Sequence, residues 1–215
     1  MVSRTNRPFP KVFTRRSLLV AAAAFGLLQG TAQAAPKRAA SGRSSQADVY
    51  LLRGFADIFS AGIDQIGQKL QASGVDAHVS SHRAWRFVMN RILADHSKNP
   101  RAPVILIGHS LGANAVIDIA EGLEKHGIRV DYMATFAATA PDPLPGNVRR
   151  VVNYYFKRHG WGLPLTPGPR FRGNLDNRDF SDIKDIGHFN IEKQRPLQDE
   201  VVRNVLRIVR SKRGR

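Results

Sequence analysis

Cysteine is absent from the 215-residue chain, so no disulfide framework, cysteine nucleophile or thiolate metal site is available to it. Acidic residues are scarce: 17 Asp and Glu stand against 33 Lys and Arg, a formal net charge of +16. Long apolar runs are missing as well. The most apolar stretch, residues 18–28, is about eleven residues long, short of the roughly 20 that a permanent membrane span requires. Recognition-helix, zinc-finger and aromatic RNA-binding signatures are lacking despite the basic charge. Neither an internal repeat nor a low-complexity tract interrupts the chain. What is present is a globular composition, 42% hydrophobic and 23% charged, with enough residues for one domain around a proper core and too few for two.

The first segment reads as a targeting signal. Arg4, Arg7 and Lys11 precede Thr14-Arg15-Arg16-Ser17-Leu18-Leu19-Val20, a twin-arginine pattern that runs into the apolar stretch, and Ala32-Gln33-Ala34 supplies the small residues a signal peptidase needs. We therefore expect a signal peptide over 1–34, cleaved after Ala34, and export to the bacterial periplasm or beyond. The alternative is an uncleaved N-terminal anchor. Loss of this leader removes five basic residues and no acid, leaving 28 basic against 17 acidic residues, net +11. Residues 35–47 read as a polar linker, 48–211 as the folded domain and 212–215 as a basic tail. Arg207, Arg210, Lys212, Arg213 and Arg215 near the end are expected to be solvated cations favourable to a helix C-terminus. Weak contact with an anionic membrane surface is the lesser reading, and no nucleic-acid partner is expected.

Within the domain, apolar periodicity predicts strands at 49–52, 75–80, 103–107, 130–136 and 148–156. Helices are expected over 60–72 and 82–95, from 113 onward, and at 198–209, where Val201, Val202, Val205, Leu206 and Val209 share a face. Strands alternating with helices predict an α/β domain: a mostly parallel sheet of five to six strands with helices on both faces and ligands at the carboxyl ends of the strands. The longest irregular stretch, 160–185, carries Trp161, Leu163, Leu165 and Phe171 and is expected to cover one side of a pocket.

One segment carries chemistry. Pro103-Val104-Ile105-Leu106-Ile107 leads into Gly108-His109-Ser110-Leu111-Gly112 and then into the amphipathic run Val116, Ile119, Ala120, Leu123, closed by Gly127. Gly-x-Ser-x-Gly between a strand and a helix is a nucleophile elbow, in which the serine hydroxyl is held above the sheet and the amide of the next residue faces any negative charge that develops there. A serine hydroxyl is protonated at neutral pH and needs a base of pKa near 7, which histidine supplies. Of seven histidines, His78, His82, His96 and His126 read as surface or cap residues, and His109 sits inside the elbow pointing away from Ser110. His188, in a loop before the closing helix, is the expected base, with His159 as the alternative.

These residues resemble the α/β-hydrolase superfamily, in particular small bacterial members related to lipases, esterases and thioesterases. The resemblance spans roughly Val49 to Val209 and rests on the Gly-His-Ser-Leu-Gly elbow, the Leu52-Arg53-Gly54-Phe55 turn after the first strand, and Ile186-Gly187-His188-Phe189-Asn190-Ile191. It implies that Ser110 is the nucleophile, His188 the base, and the amides of Leu111 and Phe55 the oxyanion hole. It also implies an aspartate at the end of the fourth strand, where this chain reads Phe136-Ala137-Ala138. Asp142 and Asp179 are the candidates to complete a Ser-His-Asp triad, ahead of Asp176, Asp182 and Asp185, and a chain without a true third member is the remaining option.

The expected activity is hydrolysis of an ester or thioester through an acyl-enzyme, on a small-molecule acyl substrate, with no metal or organic cofactor. Two other readings stay open: a catalytically degenerate relative that binds an acyl ligand or partner, and an anionic-surface binder built on the basic C-terminus.

Overall fold

The computed structural model describes residues 47–55, 60–158 and 161–213. The twin-arginine leader, the linker up to residue 46 and His159 lie outside the described residues. Six strands form one sheet: β1 (Asp48–Arg53), β2 (Ala77–Ser81), β3 (Val104–His109), β4 (Val130–Phe136), β5 (Arg150–Tyr155) and β6 (Asn174–Asp179). Their spatial order is β2-β1-β3-β4-β5-β6, and every pairing is parallel. The four helices are α1 (Ala61–Ala72), α2 (Trp85–Lys98), α3 (Leu111–Glu124) and α4 (Arg195–Arg213).

Strand alternation divides the interior into two layers. Val49, Leu51, Ile105 and Ile107 point to one face, where Ile63, Ile66 and Leu70 of α1 meet Val201, Val205 and Val209 of α4. Tyr50, Leu52, Val104 and Leu106 point to the other, covered by Val88 and Ile92 of α2 and by Val116, Ile119, Ala120 and Leu123 of α3. Every residue of β3 and β4 is buried, which is why β3 reads as a near-continuous apolar run rather than as an alternating strand, while β4 buries Asp131 and Thr135 among its apolar residues. Each fully buried Ile, Leu or Val contributes about 1.5–3 kcal/mol relative to exposure, so the central strands fix the platform from which the site is built. Among the described residues no helix is long and apolar enough to cross a membrane.

β6 lies inside the stretch expected to be irregular. Its sequence, Asn-Leu-Asp-Asn-Arg-Asp, is polar because it is an edge strand with one side open. A rung of polar side chains runs inward from it: Asn177 lies opposite Asn153, which lies opposite Thr135. Asn153 donates to Asn177 at 2.8 Å, and Thr135 donates to Asn153 at 2.8 Å. The closing helix is longer than its apolar pattern, taking in Lys212 and Arg213, so the basic tail begins as helix.

Candidate active site

The turn from β3 into α3 places Ser110 at its tip, with φ 56° and ψ −122°. A positive φ on a side chain other than glycine is strained by about 1–3 kcal/mol and persists only where the surroundings enforce it. Here the Ser110 amide donates to the Phe136 carbonyl of β4 at 2.9 Å. Gly112 is pressed against β1, where a Cβ would lie 2.1 Å from the Leu52 carbonyl oxygen. The second elbow glycine is therefore required by close approach of backbones rather than by its own dihedrals.

His188 lies in the loop before α4, largely buried, with Nε2 3.0 Å from the Ser110 hydroxyl. Its other ring nitrogen, Nδ1, is 3.2 Å from the main-chain carbonyl of Trp161. A carbonyl can only accept, so Nδ1 carries the proton and Nε2 presents its lone pair to the Ser110 hydroxyl. Burial lowers the His188 pKa, with the Trp161 carbonyl opposing the shift. The ring is neutral in the form a general base needs. Trp161 and Phe189 stand edge-on to it, with centroids 5.2 and 5.0 Å away. Both aromatics also line a cavity of about 630 Å³ together with Phe55, Ser60, Ser110, Leu111 and Thr139.

Sheet order, the helix pairs on the two faces and the strained serine between β3 and α3 coincide here in one chain. The fold is a single parallel α/β sheet with helices on both faces, as the resemblance implies. No family model matches the chain, and no curated protein matches it. Among solved structures it is similar to a presumed hydrolase of the α/β superfamily from Xanthomonas campestris pv. campestris, at 16% identity and TM-score 0.43, over 77% of this chain and 99% of that one.

An α/β-hydrolase triad calls for a carboxylate on Nδ1, and neither expected aspartate is hydrogen-bonded to His188. Asp142 lines a separate groove with Glu121, Glu124 and Arg170, and its charge acts on Asp118 of α3, whose pKa is raised by burial and then by Asp142. Asp179 ends β6 and is occupied locally: its carboxylate accepts from the Ser181 hydroxyl at 2.6 Å, the Ser181 amide at 2.9 Å and the Lys157 amide at 3.2 Å. These bonds hold its pKa low. Asp179 is thus a turn carboxylate serving nearby amides and a hydroxyl.

The backbone of 161–165 crosses the end of β4 instead. Gly162, at φ +129°, packs so tightly that a Cβ would lie 3.0 Å from Ala137 Cα. The segment is fastened by Leu163 N–H to the Ala138 carbonyl at 2.7 Å and by Phe156 N–H to the Gly162 carbonyl at 3.0 Å. The polar rung holds it from below: Asn153 donates to the Leu163 carbonyl, and Asn177 both donates to and accepts from Leu165. Ala137 itself adopts φ 50°. The small side chains at 137 and 138 leave room for this backbone, and the Trp161 carbonyl stands where the resemblance implies an acid.

The residues whose amides are expected to form an oxyanion hole, Leu111 and Phe55, both border the cavity. Leu111 opens α3, where first-turn N–H groups lack helical acceptors. Phe55 follows Gly54, whose backbone lies so close to the elbow that a Cβ there would be 2.8 Å from Ser110 Cβ. Ser60 and the Trp161 carbonyl were missing from the sequence reading. A serine at a helix start and a main-chain oxygen leave no signature in one sequence. Among the described residues no cluster of three His, Asp or Glu side chains is arranged to hold a metal ion.

Proposed function

We propose that this chain is a serine hydrolase that cleaves ester or thioester bonds through an acyl-enzyme on Ser110. The single observation that carries the reading is the 3.0 Å contact between the Ser110 hydroxyl and His188 Nε2, made on a strained elbow at the wall of an apolar cavity. In this reading His188 takes the proton as Ser110 Oγ attacks the acyl carbonyl, and the amides of Leu111 and Phe55 receive the oxyanion. His188 then returns the proton to the departing alcohol or thiol, and water repeats the sequence to free the acid. The Trp161 carbonyl keeps the proton on Nδ1 throughout. The twin-arginine pattern at Arg15-Arg16 supports export of the protein to the periplasm.

The test is labelling by a fluorophosphonate probe together with hydrolysis of p-nitrophenyl esters of graded chain length. Wild type should be labelled on Ser110 and turn over at least one ester, and Ser110→Ala should lose both. A folded wild type that refuses the probe would replace the hydrolase with the degenerate acyl-binding reading, which the absence of a carboxylate partner for His188 among the described residues favours.

A further inference from the structure

We infer that His109, the residue between glycine and serine in the elbow, is a positioning residue for the reaction, clamping the oxyanion-side loop and the base-bearing loop to the elbow through one chain of hydrogen bonds. The inference rests on the reading of Ser110 as nucleophile and His188 as base. His109 is buried, and its two ring nitrogens serve different loops. Nε2 is 2.8 Å from the main-chain carbonyl of His188, and Nδ1 is 2.8 Å from the Ser60 hydroxyl. Ser60 Oγ in turn accepts the Gly54 N–H at 2.8 Å. Gly54 is held on its other side by His82, whose Nδ1 donates to the Gly54 carbonyl at 3.0 Å.

Acceptor and donor rules fix the direction of this chain. The His188 carbonyl can only accept, so His109 Nε2 carries the proton and Nδ1 accepts from the Ser60 hydroxyl, whose oxygen remains free to accept from Gly54. Every polar atom along it is engaged in a consistent sense, Ser60 Oγ as acceptor and its hydrogen as donor. Burial lowers the His109 pKa to about 4, so the pattern persists at neutral pH. Ser60 and His109 form a second Ser–His pair on the cavity wall, yet Ser60 is fully buried and its oxygen is already engaged. Its place is structural to the loop that carries the Phe55 amide. One imidazole thus sets the distance between the groups that take up charge at Phe55 and the group that moves the proton at His188, and misplacement of such groups by about 1 Å costs on the order of 10² in rate.

Three variants, each normalised to active sites by fluorophosphonate titration, test this on p-nitrophenyl butyrate. His109→Phe keeps the volume and loses both bonds; it should lower kcat about 100-fold with KM within about threefold. His109→Gln restores an amide donor toward His188 and should recover about tenfold of that loss. Ser60→Ala cuts the oxyanion-side link and should lower kcat about tenfold. A folded His109→Phe with kcat per active site within threefold of wild type overturns the inference. If His109→Phe does not fold, Ser60→Ala decides, and kcat within twofold overturns it equally. A purely structural role would lower melting temperature and the titratable fraction but leave kcat per active site unchanged. Failure of wild type to be labelled would instead strike the hydrolase reading itself.

Discussion

Gly162→Ala is the substitution that asks whether a main-chain carbonyl can stand in for a carboxylate. At φ +129° an L side chain is strained, and its Cβ would lie 3.0–3.1 Å from Ala137 and Phe156, so the Trp161–Gly162 peptide must rotate or shift. Strain of this kind costs about 1–3 kcal/mol, which for a domain of this size lowers the melting temperature by roughly 2–12 °C. The chemical loss is separate. When His188 becomes an imidazolium, its Nδ1–H bond to the Trp161 carbonyl is a charged hydrogen bond worth about 1.5–3 kcal/mol. At 1.36 kcal/mol per decade this corresponds to roughly 10- to 150-fold in kcat. The assay is kcat for p-nitrophenyl butyrate per titrated active site, with thermal unfolding in parallel. A variant that melts lower as expected but keeps kcat within twofold would refute the claim that this carbonyl orients the base.

Glu192 is fully buried beside His109, its carboxylate 3.7 Å from His109 Nε2 and 3.8 Å from the Lys193 ammonium, with neither oxygen in a well-formed hydrogen bond. Burial pushes its pKa up to about 7, opposed by its own amide, Lys193 and the Gly62 amide. A carboxyl whose folded pKa exceeds its unfolded value of 4.5 removes stability as pH rises from about 4.5 to 7. Glu192→Gln should therefore be more stable than wild type at pH 8, by at most about 3 kcal/mol, with the gain vanishing by pH 4.5. His109 has the opposite sign, since its lowered pKa adds stability as pH rises from about 4 to 6.5, so wild type should be nearly flat between 4.5 and 6.5 while the variant climbs. Denaturant unfolding at pH 5 and 8 decides, and an equal difference at both values would refute the assignment. Asp142→Asn and Asp179→Asn should each keep kcat within threefold, because neither side chain is bonded to His188. A hundredfold loss in either would restore that aspartate to the triad.

The sheet was legible where strands are buried on both faces, because such strands are then predominantly apolar, as β3 is and as β4 is apart from Asp131 and Thr135. The elbow was legible because its glycines are demanded by close backbone approach, Gly112 at Leu52 and Gly108 at Gly112, and its position follows from the strand and helix around it. β6 was not, since an edge strand with an inward polar rung has neither alternation nor hydrophobicity to announce it. Asp142 and Asp179 attracted attention by residue type and sequence proximity to the expected loops. The group that meets His188 is a peptide oxygen, and any of the 20 residues at position 161 would supply one. His109 was read as pointing away from Ser110, and its ring does serve other partners, Ser60 and the His188 carbonyl. What sequence could not convey is that these partners lie beside Gly54 and on the loop that carries His188.

A carbonyl partner also makes a statement about which bonds this site can break. A carboxylate meets the imidazolium as an ion, whereas the Trp161 carbonyl offers only a dipole, so the charged ring is held less firmly in the transition state. The deficit is felt most when the leaving group is strongly basic and must be protonated by His188 as the bond breaks. A nitrophenolate departs as a weakly basic anion, a thiolate with a pKa of about 8.5 departs nearly as well, and an alkoxide departs only with the proton. With the acyl group held at butyryl, log(kcat/KM) should therefore fall steeply from aryl ester and thioester to ethyl ester. The ratio kcat/KM reports acylation, so slow deacylation cannot mask the trend. Equal values across the series would mean that His188 delivers its proton as readily as a triad histidine, and that an acid absent from its hydrogen bonds in this structure completes the site during turnover.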